Sequence, residues 1–360
     1  TWAVPEPGGS RVGVRVWDTR SGEVLLELDD PGQEYEYEGP VLSPDGSRLA
    51  VRVYERSTAQ RPPNVTLGLV ELGVPGVRRV AQVWDRWPDG PRWSPDGSRL
   101  FVVADEDGAS PVFGVDVATG SVTRLTGDRG AYSDLCVSPD GRTLYALRAA
   151  VDAAPEVVRL VADAPWQEPV LLRGPAPAPS LPGRLEEVTA TAEDGTQLRA
   201  WLCLQERGAE GSGEAAGDGP APLLVWIHGG PLHSWNSWTW RWNPWLAVAR
   251  GYAVLLPDPA LSTGYGQDFI AGGWARWGAE PYTDILALTD AALRRPDLDA
   301  ERTAAMCGSF GGYMANWVAG HTDRFKGIVS HAGLWALDQF GPTTDAFHYW
   351  RREIGPRMVE

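Results

Sequence analysis

Met306-Cys307-Gly308-Ser309-Phe310-Gly311-Gly312-Tyr313 places a serine inside G-x-S-x-G. Residues 302–306 before it are a short apolar run suited to a buried strand. Residues 313–319 after it have helix-compatible spacing, with Trp317 four residues beyond Tyr313. The order strand, sharp turn, helix is what a nucleophile elbow needs. The turn forces the serine into a strained conformation that exposes its hydroxyl, and Gly308 and Gly311 remove side chains that would clash there. In a glycine-rich chain the pattern alone could arise by chance, so a second signal is required.

That signal lies upstream. Leu223-Leu224-Val225-Trp226-Ile227 is a continuous apolar run, the pattern of a strand covered on both faces, and it leads into His228-Gly229-Gly230-Pro231. In α/β-hydrolases a glycine-rich loop after such a strand supplies one backbone N–H to the oxyanion hole, and the residue after the nucleophile supplies the other. The matching donors are Gly230 and Phe310. A plain tight turn is the alternative reading of this loop.

With these motifs in place, residues 185–340 resemble the catalytic domain of the prolyl oligopeptidase family of serine peptidases, especially its acylaminoacyl-peptidase and dipeptidyl-peptidase-like branch. Gly251-Tyr252-Ala253-Val254-Leu255-Leu256-Pro257 is similar to the family's next strand. Ser262-Thr263-Gly264-Tyr265-Gly266-Gln267-Asp268-Phe269 is similar to its S-T-G-Y-G-x-x-F loop, and Trp277-Gly278 with Tyr282 and Asp284 fits as well. One departure is clear. Family members usually carry Arg-Gly before that loop, where this chain has Ala260-Leu261.

The chain has 360 residues, long for a single core, which suggests two domains. A net charge of -15 argues against a general nucleic-acid binder. The three cysteines, Cys136, Cys203 and Cys307, are scattered and odd in number, so neither a disulfide framework nor a zinc site is indicated, and a cytoplasmic location is expected. No run of about 18 apolar residues is present, so no membrane span is expected. No motif for a metal, nucleotide or flavin cofactor emerges.

The first half is repetitive. Ser43-Pro44-Asp45-Gly46, Ser94-Pro95-Asp96-Gly97 and Ser138-Pro139-Asp140-Gly141 recur at spacings of 51 and 44 residues, which suit four-stranded propeller blades. Each is a turn in which proline fixes φ and glycine supplies a positive φ. Alternating strands flank the turns, for example at residues 48–53 and 99–103. The opening residues 12–25 resemble the second half of a blade, giving about three and a half in all, whereas a closed propeller needs about four to eight. The expectation is therefore that blades precede Thr1. In the resembling family such a propeller sits over the active site and restricts substrate entry.

The expected fold is an α/β-hydrolase domain, a doubly wound and mostly parallel sheet, preceded by part of a β-propeller. Residues 1–173 form the partial propeller, 174–184 a proline-rich connector, and 185–360 the catalytic domain without its C-terminal strands. A hairpin around Glu193-Asp194-Gly195 opens that domain, and residues 206–219 are expected to be a mobile loop. Residues 281–293 read as an amphipathic helix with Asp284 near its start, placed to complement the helix dipole. Trp235, Trp238, Trp240, Trp242 and Trp245 admit two readings, a substrate-pocket wall or packing of a helix against the propeller.

The implied chemistry is acyl transfer from Ser309, with a histidine as base and an acid to orient it. In α/β-hydrolases the acid and then the histidine follow the serine. His321 reads as surface, and His331 ends the strand at 325–330 in a non-catalytic position. His228 and His233 belong to the oxyanion loop. His348 with Asp338 or Asp345 is the remaining candidate by order, but no strand pattern separates the pair. The expected triad Asp and His therefore lie beyond Glu360, and the chain alone is expected to be inactive or nearly so. The functional expectation is a serine peptidase releasing acylated amino acids or dipeptides from short peptides. A non-catalytic, peptide-binding hydrolase and an esterase of the same fold are the alternatives, and the propeller repeats favour the peptidase over the esterase.

Overall fold

The computed structural model describes residues 1–6, 9–206, 219–344 and 350. Residues 207–218, most of the expected mobile loop, lie outside the described residues, as do Asp345 and His348. The first half folds into four small antiparallel sheets of consecutive strands. β1 (Trp2–Glu6), β2 (Gly9–Trp17) and β3 (Val24–Leu28) form a three-stranded sheet. Three four-stranded sheets follow. They comprise β4 (Tyr35–Leu42) to β7 (Arg78–Val80) through β5 (Arg48–Glu55) and β6 (Asn64–Glu71); β8 (Asp89–Trp93) to β11 (Val122–Arg124) through β9 (Arg99–Val103) and β10 (Val112–Asp116); and β12 (Ala131–Val137) to β15 (Val170–Leu171) through β13 (Thr143–Ala150) and β14 (Ala153–Val161). This up-and-down repetition is the blade architecture of a propeller.

The Ser-Pro-Asp-Gly turns join the first and second strands of the four-stranded blades, and all three close in the same way. The serine hydroxyl donates to the aspartate two residues on, at 2.6 Å in each turn. It also accepts the N–H of Arg48, Arg99 or Thr143, five residues on. The glycine N–H closes on the serine carbonyl at 2.9 Å, with glycine φ of 73°, 67° and 71°. Neighbouring blades are tied by Arg48, whose guanidinium lies over Trp93 and donates to the Gly97 carbonyl at 2.9 Å. Between the blades, buried clusters around Leu67, Leu100 and Val115, and around Phe101, Leu144 and Val158, keep apolar faces from water. Each such side chain contributes about 1.5–3 kcal/mol.

The second half is built on one six-stranded sheet. Its strands are β16 (Gly183–Thr191), β17 (Gln197–Gln205), β18 (Ala221–Trp226), β19 (Ala253–Asp258), β20 (Leu298–Gly308) and β21 (Gly327–His331), in the order β16-β17-β19-β18-β20-β21. β16, β17 and β19 pair antiparallel, while β19, β18, β20 and β21 run parallel. The near-continuous apolar sequences of β17 and β19 follow from burial on both faces. Helices α1 (Trp245–Val248), α2 (Gln267–Gly273), α3 (Glu280–Leu293), α4 (Phe310–His321) and α5 (Leu337–Thr343) complete the half. Strand order reverses at β18, which has β19 on one side and β20 on the other. The crevice beyond the carboxyl ends of β18 and β20 is therefore the topological switch point, where α/β sheets place their sites.

Several expectations shift in detail. β16 starts at Gly183, inside the expected connector, and α4 starts at Phe310, directly after the serine. Asp284 is not a helix-dipole partner. It lies past the first turn of α3, is buried, and accepts the Ala260 N–H at 2.9 Å. Burial pushes its carboxyl up to about 6, the reverse of what a stabilising dipole would do. Among the described residues no helix is long and apolar enough to cross a membrane.

Candidate active site

Ser309 stands between β20 and α4 with φ 58° and ψ −123°, and it is exposed. An L-residue held there costs about 1–3 kcal/mol, which the surrounding contacts must supply. Its N–H donates to the His331 carbonyl at 3.1 Å, and its own carbonyl accepts the Tyr313 N–H at 2.9 Å. The turn can be this tight only because residue 311 lacks a side chain. A Cβ at Gly311 would meet the Ile227 carbonyl at 2.4 Å and the Cys307 Cβ at 2.6 Å. That close approach also brings the end of β18 against the elbow.

The loop leaving β18 passes beside the serine. A Cβ built at Gly229 would lie 3.6 Å from the Ser309 Cβ. Gly230 has φ 128°, and a Cβ there would meet the Leu232 nitrogen at 2.7 Å, so glycine is required. Among the described residues, neither the Gly230 N–H nor the Phe310 N–H has a hydrogen-bond acceptor. Phe310 itself is buried, its ring edge-on to Trp277 at 5.1 Å. One acceptor-free N–H follows an exposed serine at strained φ and the other lies on the loop whose Gly229 passes beside it, an arrangement compatible with an oxyanion hole.

A cavity of about 530 Å³ opens on Ser309, walled by Trp226, Trp235, Trp242, Leu232 and His331. Trp242 meets Trp226 and His331 edge-on, at 6.3 and 5.2 Å. Trp245 instead is buried and donates its indole N–H to the Val151 carbonyl at 2.8 Å, tying the blade of β12–β15 to α1. The tryptophan stretch thus divides between the two readings of its sequence, cavity wall and packing.

Buried polar groups hold the loops that carry the site. Asp258, at the end of β19 and fully buried, accepts the Trp235 N–H at 2.9 Å and the Tyr265 hydroxyl at 2.6 Å. Burial still pushes its carboxyl up to about 7. His228 is buried as well, and loss of solvent lowers its pKa to about 3, so the ring is neutral. Its Nδ1 lies 2.8 Å from the Gly229 carbonyl and its Nε2 2.9 Å from the Ser262 hydroxyl, whose oxygen is also 2.6 Å from the Pro259 carbonyl. A neutral ring makes no ion pair with Asp258, whose nearest oxygen is 3.9 Å away. His228 is thus a tether between two loops.

Of the other histidines, His321 is exposed and stacked on Trp317, with ring centroids 3.9 Å apart. His331 lines the cavity, but its contact with Ser309 runs through its backbone carbonyl. Among the described residues, no histidine ring hydrogen-bonds the Ser309 hydroxyl, and Asp338 sits in the first turn of α5. Sequence reasoning missed Asp258 and the His228–Ser262 link. An acid ending an apolar strand was the available signal for the first, and nothing in the sequence pointed to the second. It also missed the consequence of Ala260-Leu261. Leu261 is fully buried at φ 84°, a conformation that explains why glycine is usual there.

Residues 238–356 match the prolyl oligopeptidase family. The chain is 30% identical over 348 residues to a probable dipeptidyl-peptidase 5 of Aspergillus clavatus, covering 91% of this chain and 45% of that protein. It is likewise 30% identical over 337 residues to a dipeptidyl-peptidase 5 of Trichophyton equinum, covering 88% and 44%. The chain thus spans about half the length of the curated relatives it matches. Among solved structures, an acylaminoacyl peptidase from Pyrococcus horikoshii superposes with a TM-score of 0.77 at 20% identity, over 99% of this chain and 54% of that one. A puromycin-hydrolyzing peptidase from Mycobacterium tuberculosis gives 0.61 at 19%, over 98% and 65%. These likenesses share the architecture described above, part of a propeller followed by an α/β-hydrolase sheet. With Ser309 at its elbow and the His-Gly-Gly-Pro loop beside it, the chain is similar to the prolyl oligopeptidase family, whose match at residues 238–356 includes the elbow.

Proposed function

We propose that Ser309 is the nucleophile of a serine peptidase that hydrolyses short peptides, releasing an acylated amino acid or a dipeptide from the N-terminus. In this reading residues 1–173 are a propeller portion, 174–184 a connector, and 185–360 the catalytic portion. The Ser309 oxygen attacks the substrate carbonyl carbon as its proton passes to a base. The Gly230 and Phe310 N–H groups receive the oxyanion, the C–N bond breaks, and the amine leaves with a proton. Water then cleaves the acyl-enzyme. The aromatic wall of Trp226 and Trp242 would receive a flat apolar group next to the scissile bond. The observation carrying this reading is the exposed Ser309 at φ 58° with two acceptor-free N–H groups at hand. The relatives named dipeptidyl-peptidase and the fold neighbours named acylaminoacyl peptidase support the substrate class. The setting fits a cytoplasmic protein with three free thiols.

A non-catalytic reading is favoured by one observation, that no described histidine ring touches the Ser309 hydroxyl. Intact-mass analysis after exposure to a fluorophosphonate separates the two. One adduct on the chain, lost in Ser309→Ala, supports the nucleophile. Absence of any adduct, on this chain and on a form extended to the length of its relatives, refutes it. Slow labelling of the chain with rapid labelling of the extended form is the expected pattern.

A further inference from the structure

The turn that follows β9 reaches across to the six-stranded sheet. Asp105 in that turn accepts the Asn236 Nδ2–H on Oδ1 at 2.7 Å and the Thr263 hydroxyl on Oδ2 at 2.5 Å. The two donors belong to separate loops of the candidate site. Asn236 lies in the loop that begins His228-Gly229-Gly230 and runs on to α1, and Thr263 lies in the Ser-Thr-Gly-Tyr-Gly loop after β19. The Thr263 N–H donates to the His233 carbonyl at 3.1 Å, which closes a triangle of loop, loop and blade. The blade side is held firmly. The Asp107 N–H donates to the Gly264 carbonyl at 3.3 Å, and a Cβ at Gly264 would stand 2.9 Å from the Asp105 carbonyl carbon.

We propose that Asp105 is a positioning residue, the pin through which the third blade sets the location of the Gly230 N–H. This rests on the reading of Gly230 as an oxyanion donor. Hydrogen bonds to a carboxylate are among the stronger ones, and here one carboxylate fixes the separation of two loops. Without it the buried Asn236 amide loses its acceptor. The loop then relies on its contacts within the second half, among them Trp235 to Asp258, His228 to Ser262 and the His233 carbonyl to Thr263. A donor displaced by about 1 Å costs about 100-fold in rate, so a blade residue far from the serine bears on the reaction.

The test compares Asp105→Ala and Asp105→Asn in the full chain. Asparagine keeps an oxygen for Asn236, and its amide can donate to the Thr263 hydroxyl, so it preserves the pin without the charge. Two readouts are taken: backbone deuterium uptake of peptides covering residues 228–237, and the rate of fluorophosphonate modification of Ser309. The alanine variant is expected to exchange about tenfold faster there and to label about tenfold slower. The asparagine variant is expected to stay within about twofold of the parent on both. Thr263→Val removes one arm only and gives an intermediate effect, which keeps the test valid where the alanine variant does not fold. Unchanged uptake in Asp105→Ala and Thr263→Val, or an asparagine variant as impaired as alanine, overturns the proposal. A parent chain with faster-exchanging variants but no serine labelling supports the pin and refutes the nucleophile instead.

Discussion

Asp284 gives the sharpest quantitative expectation. It is buried beneath the loop that opens with Ala260, beside a cavity of about 610 Å³ shared with Asp194, Asp268 and Glu280. Burial, with the nearby Asp194 and Glu280 charges adding to it, raises its carboxyl from 3.8 to about 6. The folded state therefore holds this proton more tightly than the unfolded state does, so stability falls as pH rises from about 4 to about 6 and is level above that. Once the group is ionised the penalty is about 3 kcal/mol, at 1.36 kcal/mol for each pH unit between the two values. Asp284→Asn keeps an oxygen to accept the Ala260 N–H and removes the charge. Its amide must find acceptors among the same carboxylates, so the expected net gain is about 1–3 kcal/mol at pH 7.5, with parity within about 0.5 kcal/mol at pH 4. Asp258 titrates in the same direction but is present in both proteins and cancels in the difference. Urea unfolding of parent and variant at the two pH values measures it. Equal differences at both pH values, or a variant weaker than the parent at pH 7.5, would show that the buried charge is already compensated.

Other outcomes follow from the same contacts. Ala260→Arg should place a guanidinium in that acidic cavity and raise the unfolding midpoint at pH 7.5, with the gain disappearing in an Asp284→Asn background. Gly311→Ala drives a methyl group into the Ile227 carbonyl and should lower stability by about 2–4 kcal/mol, read as a fall in melting temperature. Leu261→Gly relieves a left-handed leucine, worth about 1–2 kcal/mol, but empties a fully buried site worth about 2–5 kcal/mol, so a net loss is expected in urea unfolding. Trp242→Ala removes a wall of the Ser309 cavity and should shift preference towards bulkier groups beside the scissile bond, as measured by competition between two acyl-sized fluorophosphonates.

The sequence disclosed what is local. Three Ser-Pro-Asp-Gly turns announced blades because each closes on itself through a serine, an aspartate and a glycine within a few residues. The apolar runs of β18 and β19 announced a sheet covered on both faces, and Gly308-Ser309-Phe310-Gly311 announced the elbow. What stayed hidden depends on partners far apart in the chain. Asp105 and Thr263 are 158 positions apart, and Trp87 and Gln267, whose side chains bond at 3.1 Å, are 180 apart. Asp284 was misread for the same reason. Its neighbours along the helix suggested a dipole contact, while the group it binds lies 24 residues away in another loop.

The departure at Ala260-Leu261 joins these threads. With Ala260-Leu261 where the family usually has Arg-Gly, Asp284 has the Ala260 backbone N–H as its hydrogen-bond partner, among the described residues it has no ion pair, and leucine stands at φ 84°. The buried Asp284 charge disfavours the loop that carries Ser262 and Thr263, the residues that grip His228 and Asp105, whereas burial of the leucine more than offsets its strain. A loop weakened from within must be held from outside, which is the place Asp105 occupies. If that is so, supplying a cation beside Asp284 should reduce the dependence on the pin. Asp105→Ala should slow Ser309 labelling less in an Ala260→Arg background than in the parent, by about threefold or more for a coupling of ~0.7 kcal/mol. Strictly additive effects would mean that the blade and the loop act on the serine independently.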